Sequence, residues 1–109
     1  MVDTRPSSQH DLTVAVILTT AVFDRWFGRL RDRMAAPRIQ VRIDRAEAGN
    51  LGDCKAVGGG VSEMRIDHGP GYRVYFVQRG HELILLLAGG DKGSQAKDIE
   101  LARELAKQV

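Results

Sequence analysis

The sequence is short of the residues that build covalently stapled or metal-held scaffolds. It has one cysteine, Cys54, so no internal disulfide can form, and a multi-cysteine metal site is excluded. A chain with a single cysteine is expected in the cytoplasm. No apolar run approaches the roughly 20 residues that a helix needs to cross a bilayer, so no membrane partner is expected. No internal repeat or second domain appears. The glycine-rich stretch 50–60 (NLGDCKAVGGG) lacks the Lys-Ser/Thr of a phosphate-binding P-loop and reads as a connecting loop. Lysine is scarce too: of the 16 basic residues, most are arginine.

What is present is ordinary in amount and uneven in placement. The chain has 109 residues, of which 43% are hydrophobic and 28% charged, with a formal net charge of +2. These values suit one soluble domain. The arginines concentrate between Arg25 and Arg45, against Asp24, Asp32 and Asp44, while the tail from Asp91 is balanced. A basic middle and a neutral tail point to an anionic partner.

Residues 1–11 are polar and aperiodic and read as a flexible N-terminal arm, a poor match to a secretory signal. The domain is expected over 12–109. Leu12 to Leu18 (LTVAVIL) is β-branched and reads as a strand. Phe23, Trp26, Phe27, Leu30 and Met34 then recur at spacings of three and four, the mark of an amphipathic helix. Its aromatics are expected in the core. Pro37 suits the first turn of a second helix, Ile39, Ile43 and Ala46 continue the stripe, and Gly49 suits its end. Residues 21–49 thus read as a helical hairpin. Val61 to Asp67 and Tyr72 to Gln78 alternate as strands around the turn His68-Gly69-Pro70-Gly71. Leu83 to Ala88 (LILLLA) is continuously apolar, as expected of a strand covered on both faces. A last helix starts at Gly93 or Ser94. The expected architecture is α+β: a two-layer fold with an antiparallel sheet against an N-terminal helical hairpin, plus a C-terminal helix.

The alternation sets Ser62, Met64 and Ile66 on one face and Glu63, Arg65 and Asp67 on the other. A five-residue loop, His68 to Tyr72, would pair Asp67 with Arg73, set Arg65 opposite Tyr75, and gather Arg65, Arg73 and Tyr75 on one exposed patch. A four-residue loop would separate the two arginines. Asp91 and Lys92 leave the end of the apolar strand, where a rigid sheet positions an exposed residue. Lys55 lies in the preceding loop. Lys55, Arg65, Arg73 and Lys92 together would bind a phosphate and stabilise charge developing in phosphoryl transfer. His10, His68 and His81 fall in the arm and in turns, and Cys54 reads as inert.

The runs GDCKAVGGGVSEMRID, GPGYRVYF and LLAGGDK-x-x-Q-x-x-DI, with the upstream FDRWFGRLRD…RIQVRIDRAEAGNLGD, resemble the HigB-like addiction-module killer-protein branch of the RelE/ParE toxin superfamily. The resemblance spans about residues 12–108. It implies a RelE-like fold and a type II toxin neutralised by a cognate antitoxin, usually of helix-turn-helix type. It further implies a ribosome-dependent, metal-free endoribonuclease that needs no cofactor and inhibits translation by mRNA cleavage. In such enzymes the ribose 2′-hydroxyl attacks the adjacent phosphate. By motif, Arg73 of YRVYF matches the strand arginine at the scissile phosphate, Arg65 a basic residue on the preceding strand, and Lys92 of GGDK the basic residue after the last strand. Lys55, placed only as a loop cation, and Tyr75, placed on the same patch as the two arginines, are the expected RNA contacts. The tail from Asp91 carries no Tyr or His, which leaves Asp91 as the candidate base, with Glu63 as another. The same scaffold serves ParE-like toxins that poison DNA gyrase without cutting RNA, and a degenerate protein that only binds its antitoxin is a third reading.

Overall fold

A computed structural model describes residues 14–109. The elements are β1 (Val16–Thr19), α1 (Ala21–Gly28), α2 (Ala35–Glu47), β2 (Cys54–Gly58), β3 (Val61–Ile66), β4 (Tyr72–Arg79), β5 (Leu83–Gly90), a 3₁₀ turn (Lys92–Ser94) and α3 (Gln95–Ala106). The expected arm at 1–11, and the first two residues of the expected first strand, lie outside the described residues. None of the described helices is long and apolar enough to cross a membrane.

The five strands form one sheet in the order β1-β5-β4-β3-β2. β1 lies parallel to β5, with Val16 beside Leu83 and Thr19 beside Leu86, while the other pairs are antiparallel. The sheet is therefore mixed, which corrects the expected antiparallel one. Tight turns fix the direction of consecutive strands, but β1 and β5 are not consecutive, and their pairing leaves no trace in local periodicity. The expected loop at 50–60 also contains a strand. β2 is an edge strand with a bulge between Ala56 and Gly58, and the bulge breaks the alternation that would have revealed it.

One face of the sheet carries the helical hairpin. The Thr20 hydroxyl oxygen accepts from the Phe23 backbone N–H at 3.0 Å and caps α1, while its O–H donates to the Leu87 carbonyl at 2.6 Å. Helix α1 is thereby anchored to β5. Phe23, Ile39, Ile43 and Ala46 bury against Met64, Ile66, Val74, Phe76, Ile84 and Leu86. At the end of α2, the Gly49 N–H reaches the Ala46 carbonyl and the Asn50 N–H the Arg45 carbonyl. These are the paired bonds of a glycine C-cap, and Gly49 adopts the required positive φ of 97°. From α2, Arg42 donates to the carbonyls of Arg65 and Leu51, holding the approach to β2 against the hairpin strands.

The other face is covered as well. Ala102, Ile99 and Leu105 of α3 pack on Val61, Tyr75, Val77, Leu87 and Ala88. The molecule has helix, sheet and helix layers rather than the expected two. The apolar run of β5 is consistent with this arrangement, since Ile84 and Leu86 enter one core and Leu87 and Ala88 the other.

Close packing at the end of β5 depends on a missing side chain. A Cβ added at Gly89 would lie 2.2 Å from Trp26 Cε3, a distance that forces the indole or α1 to shift. Gly89→Ala is expected to cost about 1–3 kcal/mol by overpacking. The check is a lowered urea midpoint at unchanged slope, followed through the emission of Trp26, the single tryptophan.

Candidate functional site

The β3–β4 turn has five residues, but it runs from Asp67 to Gly71, one residue earlier than expected. Ile66 therefore pairs with Tyr72, Arg65 with Arg73, and Glu63 with Tyr75. An odd loop keeps Arg65 and Arg73 on one face, now directly opposed. The turn closes through the Gly71 N–H to the His68 carbonyl at 3.0 Å, with Gly69 and Gly71 at φ of 55° and 82°. Lys55 of β2 stands opposite Glu63, and Gly90 of β5 opposite Arg73. Two rows thus cross one face: Lys55, Glu63, Tyr75 and Ala88, then Arg65, Arg73 and Gly90. Lys92 follows at the strand end. A Cβ on Gly71 would lie 3.1 Å from Arg73 Nη1 and 3.6 Å from Lys92 Cβ, so these two cations flank the turn. Arg65, Arg73 and Lys92 are brought to one end of the sheet. Lys55 is exposed on the same face, one row away.

Beneath the cations lies a buried polar network. Glu63 is fully buried. Its Oε2 accepts from the Tyr75 hydroxyl at 3.1 Å and from Gln95 Nε2 at 2.8 Å, and lies 3.6 Å from Arg73 Nε. The Arg73 side chain is only 11% exposed, and its Nη1 donates to the Gly71 carbonyl at 2.6 Å. Losing one partner of a buried ion pair costs about 3–5 kcal/mol. The Arg65–Asp53 pair, at 3.1 Å, is largely in solvent and belongs to a class worth about 0–1 kcal/mol. Arg73 is therefore held and Arg65 is comparatively free to move. Glu63 Oε1, Arg65 Nε and Arg73 Nε are buried with no hydrogen-bond partner among the described residues.

One expected role changes with this geometry, and another residue gains a structural task beside its expected one. Tyr75, expected as an RNA contact on an exposed patch, is fully buried under α3 and its ring is out of reach of a base. Burial, then the charge of Glu63 and the hydrogen bond to it, push the Tyr75 phenol well above its ordinary value. It serves as a neutral donor. Asp91, the candidate base, caps the turn after β5: its Oδ1 accepts from the backbone N–H of Gly93 at 2.8 Å and of Ser94 at 3.3 Å. Oδ2 takes no part in the cap. The role of Gln95 was missed, because its contact with Glu63 spans 32 residues and exists only once α3 folds onto the sheet.

The remaining candidates are structural. His68 Nε2 sits 2.9 Å from Asp32 Oδ2, and its ring stacks on Tyr72, tying the turn to the segment between α1 and α2. The Met34 N–H, then the bond to His68, hold the Asp32 carboxyl below its usual range. The Cys54 thiol donates to the Leu51 carbonyl at 3.0 Å, and burial pushes it up, as suits an inert cysteine. His10 lies outside the described residues. Among the described residues, no three His, Cys, Asp or Glu side chains stand close enough to hold a metal ion.

The phenols give a pH test. Burial raises Tyr72 as well as Tyr75, and these are the chain's two tyrosines. Below the unfolded value of about 10 both states hold the proton, so stability does not depend on these groups. Above it the unfolded chain releases protons that the fold retains, so stability falls as pH rises. Absorbance titration is expected to show phenolate appearing late and together with alkaline unfolding. Ionisation of both tyrosines near the ordinary value in the folded chain would contradict the network.

No family model matches the chain. A protein of Haemophilus influenzae, described as uncharacterized, is 46% identical over 93 residues, covering 85% of this chain and 94% of that protein. Identity at this level across nearly the full length of both sequences shows common descent, and the chain belongs to the same protein family as this Haemophilus influenzae protein.

Proposed function

We propose that this protein is a type II toxin of the RelE/ParE superfamily, in the HigB-like killer-protein branch with its RelE-like fold. In this reading it is a cytoplasmic, ribosome-dependent endoribonuclease that cleaves mRNA and is neutralised by a cognate antitoxin of helix-turn-helix type. The observation that carries the reading is the convergence of Arg65, Arg73 and Lys92 at one end of the sheet, with Arg73 anchored to buried Glu63. Preorganised cations stabilise charge as it develops, because they need not reorient during the reaction.

The chemistry follows from that placement. The 2′-hydroxyl oxygen bonds to the adjacent phosphorus, and the bond to the leaving 5′ oxygen breaks, giving a cyclic phosphate. Arg73 and Lys92 stabilise the extra negative charge, and Arg65, loosely paired, moves in to complete the set. Asp91 Oδ2, free of the cap, takes the 2′-hydroxyl proton, and solvent supplies one to the leaving oxygen. Glu63 and Gln95 act as positioning residues for Arg73. The concentration of arginine on the helical hairpin suits ribosomal RNA, with affinity falling steeply as salt rises.

Expression of the chain from a tightly controlled promoter, with and without the neighbouring open reading frame, is expected to give transcript cuts within translated messages that the neighbour suppresses. Arg73→Ala is expected to lower cleavage by on the order of 10²-fold. Undiminished cleavage by Arg73→Ala overturns the mechanism. Growth arrest with intact transcripts moves the target to gyrase, and absence of arrest marks a protein that only binds its antitoxin.

A further inference from the structure

A second feature lies around the corner from the cationic site. The end of β5 beyond its pairing with β1, together with α1 and the residues after it, the start of β4 and Leu101 of α3, lines a cleft of about 490 Å³. Its walls include Arg25, Trp26, Arg29, Arg31, Tyr72 and Asp91. Trp26 and Tyr72 are both partly exposed, with ring centroids 6.4 Å apart in an edge arrangement. Trp26 is braced against Gly89, and Tyr72 against His68, which is tied to Asp32. The rings are therefore held in place rather than loose on the surface. Arg25, Arg29 and Arg31 are exposed and form no ion pair among the described residues.

We infer that this cleft binds a nucleotide of single-stranded RNA next to the one that reaches Arg73 and Lys92. The inference takes its ligand class from the proposed function and adds a site to it. Flat rings beside exposed guanidinium groups match a ligand that is itself flat apolar rings joined by phosphates. An acidic peptide would engage the arginines and leave the rings without a partner. An apolar helix would strand the arginines. The cleft and the cationic site lie on opposite faces of the sheet but at the same end: Tyr72 and Arg73 are consecutive in β4, with Tyr72 on the hairpin face and Arg73 on the α3 face, and Asp91, in the cleft wall, precedes Lys92. A strand whose phosphate sits between Arg73 and Lys92 reaches the cleft by passing around the end of β5 at Asp91.

Trp26 is the only tryptophan and lines the cleft, so its emission reports occupancy directly. The probe is a short 2′-O-methyl RNA oligonucleotide, which cannot be cut, titrated into the full chain. Saturable quenching that weakens with added salt is expected. Tyr72→Ala should weaken binding roughly tenfold through lost stacking. Arg29→Ala with Arg31→Ala, both exposed and outside the core, should reduce the salt slope by about two while leaving the unfolding midpoint unchanged. Absence of quenching by the oligonucleotide overturns the inference, as does equal quenching by a polyglutamate peptide. The two readings fail separately. Transcript cutting without oligonucleotide quenching removes the cleft alone. Quenching with the expected arginine dependence but no cutting supports the cleft and removes the nuclease.

Discussion

The constraint on which the middle of this molecule rests is that a fully buried carboxylate must be given partners. Glu63 receives them from three directions: Tyr75 on the neighbouring strand, Arg73 two residues before it, and Gln95 on the C-terminal helix. Two of these are strand neighbours, so they come with the hairpin register. The third is not, and its bond joins α3 to the sheet at one defined height. Since an unsatisfied buried charge is far more costly than a surface pair, alternative seatings of α3 on the sheet are disfavoured by the same group that orients Arg73. Stability and the candidate site share one network.

Small residues do complementary work at the same end of the sheet. Gly89 leaves room for the Trp26 ring on one face, and a Cβ at Gly90 would collide with the Asp98 carboxylate on the other. Consecutive strand positions point to opposite faces, so two adjacent glycines let both helix layers close on β5 just before the chain turns at Asp91. Gly71 gives Arg73 a carbonyl to bind and the positive φ that the tight turn needs.

The electrostatic contrast between neighbouring arginines is the clearest functional signal. Arg73 is enclosed and tied down, whereas opposite it Arg65 is tethered to solvent-exposed Asp53. The seven residues from Arg25 to Arg31, on the other side of the sheet end, add three more exposed arginines. Fixed and adjustable positive charge thus surround one end of the molecule, while the α3 end carries balanced charge.

Local chemistry made much of this legible from the sequence. Phe23, Ile39, Ile43 and Ala46 declared the helical hairpin by their spacing, Gly49 its end, and the alternation around His68 to Gly71 the β3–β4 pair, because helix and strand periods are properties of a few consecutive residues. That Arg65 and Arg73 share a face followed from an odd loop. What local pattern does not carry is which distant segments meet. The parallel seat of β1 beside β5, the bulged edge strand at Cys54 to Gly58, and the third layer formed by α3 all arise from contacts across long separations. So does the burial of Tyr75: strand alternation put it on the face away from the hairpin core, but only the docking of Ala102 and Gln95 on that face made it an interior residue and turned Glu63 into the anchor of Arg73. The sequence by itself determined the helices, the central strands and their faces; tertiary packing decided the edge strand at Cys54 to Gly58 and what covers each face, because burial depends on a partner surface that no stretch of sequence contains.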